Sequence, residues 1–571
     1  MAVQKQQYMW PSHWEKPVAH GPYGAVSSNS VYATRAGLEI LKKGGNAFDA
    51  AVAVSLALSV TEPHHSGIGG GCFSLIYSAE KKEFHAVDGR GVAPANATAD
   101  LFIKDGVVQD EWKDLGGQSV AVPGLLKTMD VLLKKYGSMS LAQVSEPAIR
   151  FAKEGFGCGY TCALTMFDDS VERKLKLSEP MRRLYLKPDG GFYRFGETQK
   201  NPELGDLLKK VAEQGVDYFY KGETARKIVQ LINERGGCYT LEDMANYEPK
   251  FRTPVRTSYR DCEVVAFAPP SGGSTVIEML NILEHSDLQA MGHNTAESLH
   301  AISEAMKLGF ADRSVALGDP DFVKVDVERL ISKQFAAERF ALQKDQCGEY
   351  EASENIEAKE YPGNTSHFAV MDRFGNAVSQ TQTVRDWFGC GIVVDGLGFV
   401  LNNAMSDFSA AVGALTRQGL TYGSANAIEG GKTPLSSMSP CMVLREGKPF
   451  LAIGAAGGPR IITGTLQGII NAVDYQMTPE RLVNMPYVHV ITNKQGLEVE
   501  YGISEDTLKL LEARGHHIIR NTVDQSMSTM LNSVMRIGDE YYAAGTARVD
   551  GCGGALLPNG NTVLEGISQE F

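Results

Sequence analysis

Asn364-Thr365-Ser366-His367 opens a run in which a hydroxyl, a cleavable amide and the start of a strand coincide. Downstream, Phe368, Val370, Ala377 and Val378 supply the apolar positions of a strand-like alternation. Asp372-Arg373-Phe374-Gly375-Asn376 predicts the turn between two strands of a hairpin. Upstream, Lys344–Glu360 is polar, acidic and short of bulky side chains, as an exposed connector would be. If the Asn364–Thr365 bond were cut, Thr365 would carry a hydroxyl nucleophile and a free α-amine on one residue. An α-amino group titrates near ~7.7–8.0, against ~10.4 for lysine, so that amine is a ready general base. Taken alone, the stretch is more simply an ordinary hairpin whose threonine serves strand propensity.

Other residues could complete such chemistry. Arg90, between Gly89 and Gly91 at a strand end, could clasp an anion bidentately or make a surface ion pair. The Gly454–Arg460 turn opens a helix predicted over Ile461–Val473, and backbone N–H groups there are natural donors to a developing oxyanion. Ser66–Gly71 lacks the Lys-Ser/Thr of a phosphate-binding loop, and no strand precedes it, so it predicts a close-packed turn. His64 and His65 have no spaced partners, which argues against a metal site.

The elements that must position these residues alternate along the chain. Helices are predicted on either side of Gly44-Gly45, with Asn46 capping the second, and over 125–156, 201–234, 275–283 and 296–317. Strands are predicted at Cys72–Tyr77, Phe84–Asp88, Gln118–Gly124, Cys262–Ala268, Gly398–Leu401, Cys441–Leu444 and Phe450–Ile453. Mixed strands and helices with glycine turns at strand ends point to layered α and β structure. The 571 residues are 43% hydrophobic and 22% charged, ordinary values for a globular protein with a large core. A formal charge of −13 speaks against nucleic acid or an anionic membrane as partner. There is no apolar run long enough to span a bilayer and no secretory h-region at the start. Nine scattered cysteines fit free thiols in a reducing compartment, so a cytoplasmic location is expected.

In their order along the chain, nine motifs resemble the γ-glutamyltransferase (γ-glutamyltranspeptidase) family of N-terminal nucleophile hydrolases. They are Glu62–Gly71, Asp88–Pro94, Val122-Pro123-Gly124, Pro269–Gly273, Ala311–Ser314 with Gly318-Asp319-Pro320, Asn364–His367, Leu401–Ser409, Pro434–Pro440 and Ala456–Arg460. The resemblance implies an α+β fold, a four-layer αββα sandwich made as one proenzyme. It implies autocleavage before Thr365 into a large subunit, 1–364, and a small one, 365–571. The two would stay intertwined as one domain and could pair further into a dimer. Thr365 would be the nucleophile, Thr383 its hydrogen-bond partner, and Gly457 and Gly458 the oxyanion donors. No cofactor or metal is implied, and the partner would be a small-molecule amide.

Family members hold the glutamyl α-carboxylate with an arginine and two serines, which Arg90, Ser436 and Ser437 match. They hold the α-ammonium with an Asp, an Asn and a Gln or Glu. Asp407 matches the first, but Arg385 and Ala404 stand at the other two positions. An arginine a few ångströms from an ammonium is repulsive, on the order of several kcal/mol at low effective dielectric. The expected acyl donor is therefore a carboxylate-bearing amide without an α-ammonium, such as oxamate or a glutaryl amide, with Asp407 free to pair with Arg385. The alternative is a γ-glutamyltransferase or glutathione hydrolase. A lid is expected over Val412–Gly423, with Gln418 where transferases often place an aromatic. A serine amidase built on Ser271–Ser274 lacks a nearby lysine, and an inactive scaffold does not fit the retained set.

Overall fold

Ala47–Thr61 is apolar on nearly every face, and every one of its side chains is buried. Such a helix cannot lie on a surface; it needs packing partners all round. Asn46 caps it as expected, accepting from the Phe48 and Asp49 N–H groups while Asp49 answers to the Asn46 N–H. Val31–Lys42 packs beside it, and both helices cover one face of an eight-stranded sheet.

In the computed structural model, which describes residues 18–350, 364–410, 423–521 and 529–565, that sheet is antiparallel throughout. Its order is Thr562–Leu564, Cys552–Leu556, Gly24–Ser28, Ser366–Asp372, Ala377–Thr383, Gly71–Ser78, Glu83–Gly89 and Lys250–Arg252. The predicted hairpin is thus its centre. Asp372 builds the turn, accepting from the Phe374 and Asn376 N–H groups, and its other oxygen takes the Ala47 N–H at 2.7 Å. One carboxylate therefore ties the hairpin to the start of the buried helix.

A seven-stranded sheet packs on the other face, ordered Ala19–Gly21, Glu540–Gly545, Met530–Ile537, Lys448–Ala456, Cys441–Arg445, Cys262–Ala266 and Val255–Tyr259. Polar bonds cross between the sheets: Ser379 Oγ to the Ile453 carbonyl, and Asn532 Nδ2 to that of His367. Helices Gly273–Leu283 and Arg460–Val473 cover its outer side. The four layers are helix, sheet, sheet, helix, as expected.

Two predicted strands are absent. In Gln118–Gly124 the Ala121 backbone pairs with the side-chain amide of Asn402, and Gly124 N–H goes to the Gly70 carbonyl. The segment finds its partners in loops, so it is extended without joining a sheet. Gly398–Leu401 makes one isolated bridge, Val393 with Val400. Helices at Tyr160–Thr165, Asp169–Leu177 and Glu179–Tyr185 were not predicted. All nine cysteines are free. No helix among the described residues is long and apolar enough to cross a membrane. Most of the acidic connector and nearly all of the expected lid, Gln418 included, lie outside the described residues.

Candidate active site

The hairpin register sets the site. Ser366 pairs with Gln382, so Thr365 and Thr383 meet at the open end of two adjacent strands. Alternation along a strand then sends Thr365 and His367 to one face and Ser366 to the other. Thr365 Oγ1 lies against the Asn364 carbonyl oxygen and 3.3 Å from Thr383 Oγ1. Thr383 Oγ1 is 3.0 Å from the same carbonyl and accepts the Arg385 N–H at 2.8 Å. With that donor behind it, the Thr383 hydroxyl is free to turn its proton onto the Asn364 oxygen. A second hydroxyl, a carbonyl and a donor to that carbonyl's oxygen stand in hydrogen-bond reach of one another.

The cleft in front of Thr365 is lined by Arg90, Asn364, Thr383, Arg385, Asp407, Leu435, Ser436, Ser437, Met438, Gly458, Pro459 and Ile461. Of the residues expected there, only Gly457 is not on the lining; it stands directly behind Gly458. Both glycines have positive φ, 130° and 60°, at the turn that starts the Arg460–Val473 helix. Left-handed backbone of this kind favours glycine.

Arg90 is held from behind: Asp88 accepts its backbone N–H at 3.1 Å and is itself bound by Arg252 at 2.7 Å. Its guanidinium contacts Asp407 Oδ2. Ser436 Oγ accepts the Met438 N–H at 3.2 Å, which leaves its own proton for a ligand. Asn426 joins the two walls, donating to the Asp407 carbonyl and accepting from the Leu435 N–H. A guanidinium and two adjacent serines on one side of the cleft suit a carboxylate.

Arg385 does not swing out to solvent. Its Nε is 3.1 Å from Asp407 Oδ1, and its Nη1 is 2.7 Å from Asp386 Oδ2. Burial works against its charge, but Asp386, Asp407 and Asp114 outweigh burial and hold its pKa above the ordinary value. Arg385 adopts φ 84° in this position. Ala404 is buried nearby and offers no acceptor.

Sequence reasoning named the turn Glu62–Ser66 within a family motif but gave it no role at the site. Here His65 Nδ1 lies 2.7 Å from the Thr365 carbonyl, and Glu62 Oε2 accepts the Ser366 hydroxyl at 2.5 Å. The available signal was position: this turn runs directly into the glycines that abut Thr383. A Cβ on Gly70 would stand 2.1 Å from the Thr383 carbonyl oxygen, and one on Gly71 the same distance from that of Arg90. Those glycines are a close backbone approach, as predicted.

Away from the cleft, His300, Glu304 and His516 converge with metal-ligand spacing. Their valences are already used: His300 Nδ1 bonds His516 Nε2 at 2.8 Å, and the Lys307 ammonium sits 2.7 Å from Glu304. The lysine takes the place a cation would need.

A threonine heading a central strand of an αββα sandwich, with a glycine turn at a helix start on the same cleft, defines an N-terminal nucleophile hydrolase. The sequence pattern of the family described as gamma-glutamyltranspeptidase matches residues 33–556. The chain belongs to the γ-glutamyltranspeptidase family of autoprocessing enzymes. It is 40% identical over 532 residues to the glutathione hydrolase proenzyme of Escherichia coli (strain K12), covering 92% of this chain and 90% of that protein. It is 36% identical to the acylase ACY 1 proenzyme of Pseudomonas sp. (strain SE83), covering 89% of each. The crystal structure of cephalosporin acylase from Bacillus halodurans matches with a TM-score of 0.85 at 29% identity, covering 95% of this chain and 97% of that one.

Proposed function

We propose that the chain matures by cleavage of Asn364–Thr365 and that Thr365 then hydrolyses the side-chain amide of γ-glutamyl compounds, glutathione among them. In maturation, Thr365 Oγ1 adds to the Asn364 carbonyl carbon and the C–N bond breaks. The nitrogen takes up a proton and becomes the α-amine of Thr365. Water then hydrolyses the ester, leaving an Asn364 carboxylate and a free hydroxyl. The carrying observation is that Thr383 Oγ1 reaches both the Asn364 carbonyl oxygen and Thr365 Oγ1. In turnover the amine removes the hydroxyl proton as Oγ1 adds to the γ-carbonyl, and the Gly457-Gly458 turn receives the developing negative oxygen. The leaving amine departs with that proton, and water releases the acid. Arg90, Ser436 and Ser437 hold the α-carboxylate. The names of the relatives support this reading: a glutathione hydrolase at 40% identity over most of both chains.

A second reading rests on one contact. Asp407, the group that would receive a substrate ammonium, is engaged by both Arg90 and Arg385. An acyl group that keeps the carboxylate and lacks the amine, glutaryl or a shorter dicarboxylic monoamide down to oxamate, would leave that ion cluster intact. Relatives named as acylases support it. One assay separates the two: kcat/KM for γ-glutamyl-p-nitroanilide, for glutaryl-p-nitroanilide and for ammonia release from oxamate. Faster γ-glutamyl turnover upholds the first reading, and preference for either amine-free donor overturns it. Maturation itself is read on a denaturing gel. Two bands near the sizes of 1–364 and 365–571, replaced by one in Thr365→Ala, are required.

A further inference from the structure

The turn after the buried helix holds the far side of the scissile bond. Asn364 and Thr365 face the cleft, but the next two polar groups along the chain, the Thr365 carbonyl and the Ser366 hydroxyl, point back into the protein. Both are met by one five-residue turn. His65 Nδ1 takes the Thr365 carbonyl at 2.7 Å and Glu62 Oε2 takes the Ser366 hydroxyl at 2.5 Å. A carbonyl oxygen only accepts, so His65 must carry its proton on Nδ1. Burial lowers the pKa of this ring to about 4, so it stays neutral, as that single-donor arrangement requires.

The same turn is bolted to the partner strand. The His65 carbonyl accepts the Val384 N–H at 3.1 Å, and Ser66 Oγ accepts Gln382 Nε2 at 3.0 Å. Gln382 is bonded in turn to Ser55 of the buried helix. Residues on both sides of Thr383 and the two groups that follow the scissile bond are therefore fixed to one rigid piece. Nothing in the chemistry of Thr365 itself calls for a buried carboxyl beside Ser366. Glu62 is 4% exposed, and the groups around it are Ser366, His65 in its own turn, Asp550, and Cys162 on the Tyr160–Thr165 helix. No cation faces it among these. A buried acid without a counter-charge is costly, and a fold retains one where its hydrogen bond does something specific.

We infer that Glu62 and His65 are positioning residues that clamp Thr365 from behind, through Ser366 and the Thr365 carbonyl, so that its hydroxyl keeps its approach to the Asn364 carbonyl during maturation and to substrate afterwards. Self-cleavage needs the nucleophile held still while the bond on its other side breaks. A strand end anchored on one face only would be free to follow the departing Asn364. The clamp supplies the second face. The inference rests on Thr365 being the nucleophile, as proposed above.

The test is the rate at which freshly synthesised full-length precursor converts to two chains, followed across pH for the wild type and for Glu62→Gln, Glu62→Ala, Ser366→Ala and the double alanine variant. Folded fraction is checked by thermal melting. Glu62→Ala and Ser366→Ala should each slow conversion by about tenfold or more, since a misplaced reacting group costs up to ~10²-fold. The double variant should be no slower than the slower single one. Burial raises the Glu62 pKa to about 8, so the ratio of wild-type to Glu62→Gln rates should rise as pH passes that value. A purely structural role would not produce that inflection. Folded Glu62→Gln with wild-type rates at every pH, or additive alanine effects, overturns the inference. If Glu62→Ala does not fold, Glu62→Gln alone decides. Thr365→Ala is the control: if it still converts, the nucleophile reading fails, whereas conversion that is Thr365-dependent and indifferent to Glu62 sinks only the clamp.

Discussion

Arg385 Nε lies 3.1 Å from Asp407 Oδ1, while Arg90 holds the other oxygen of the same carboxylate. A substrate ammonium seeking Asp407 would have to displace one guanidinium and sit beside it. In the reading that favours γ-glutamyl donors, Arg385 is a handicap that the rest of the site tolerates. Replacing it with asparagine removes the repulsion and adds an acceptor. Asparagine also tolerates the left-handed φ of 84° found there. Arg385→Asn should raise kcat/KM for γ-glutamyl-p-nitroanilide by about tenfold, ~1.4 kcal/mol of transition-state stabilisation, and lower it for glutaryl-p-nitroanilide. Steady-state kinetics on both substrates checks this, and equal changes for the two would remove Arg385 as a selector.

Thr383 Oγ1 donates to the Asn364 carbonyl oxygen, the atom that would become negative in the proposed attack by Thr365. Thr383→Ala should slow maturation by ~10²–10³-fold, the usual cost of losing an oxyanion donor. Thr383→Ser keeps the hydroxyl and should retain most of the rate. The comparison is made on gel time courses. A fast Thr383→Ala variant would assign that oxygen to some other donor.

How much of this was legible beforehand differs by residue. The hairpin could be read because strand alternation and an Asp-to-Asn turn are local signals, and Thr383, singled out by the family resemblance, falls by its spacing at the same end of the next strand as Thr365. Arg90, Ser436 and Gly458 could be placed near them only through the order of family motifs, since no local rule joins residues hundreds of positions apart. Gln118–Gly124 was misread because its apolar alternation is that of a strand, while its actual partner is the side chain of Asn402. The contacts of Glu62 and His65 with Ser366 and Thr365 were missed for a related reason: they depend on how the buried helix ends against the sheet.

Gly70 gives a steric prediction. A methyl group there would stand 2.1 Å from the Thr383 carbonyl oxygen and 3.1 Å from a Val384 methyl. Backbone cannot yield as a flexible side chain does, so Thr383 would be pushed out of register with Thr365. Gly70→Ala should cost about 1–3 kcal/mol or more of stability, as overpacking does. It should also slow maturation beyond what the loss of stability explains. Thermal melts and conversion rates at a temperature where the variant is fully folded test the two parts separately. Normal conversion would mean the loop absorbs the methyl without moving Thr383.

Acid should unfold the protein through its buried histidines. Burial pushes His65 down to about 4 and His367 to about 3, against 6.5 for a free imidazole. His64, next to His65, is lowered as well, by burial first and by the neighbouring ring second. For a lowered pKa the sign is fixed: the unfolded chain binds the proton first, so the stability contribution is complete above about 6.5 and is lost as pH falls toward the folded values. Each buried ring then removes up to ~1.4 kcal/mol per pH unit within that window. Glu62 runs the other way. Its raised pKa gives a contribution that is full below 4.5 and lost as pH rises through about 8. Between 8 and 6.5 acidification should therefore raise Tm slightly through Glu62. Below 6.5 these three rings, joined by His489 and His516 that burial also lowers to about 3, oppose the carboxyls that burial raises, Glu62 and Glu278 among them, and Tm should fall. The expected curve has its maximum near neutrality and a steep acid limb; Glu62→Gln should flatten the limb between 6.5 and 8 and steepen the one between 6.5 and 4.5, because the Glu62 contribution spans both. Melting temperatures measured from pH 4 to 9 decide it: a Tm that holds level from 6.5 to 4.5 would mean these rings are already protonated in the folded chain, and the neutral His65 on which the Thr365 contact depends would have to be abandoned.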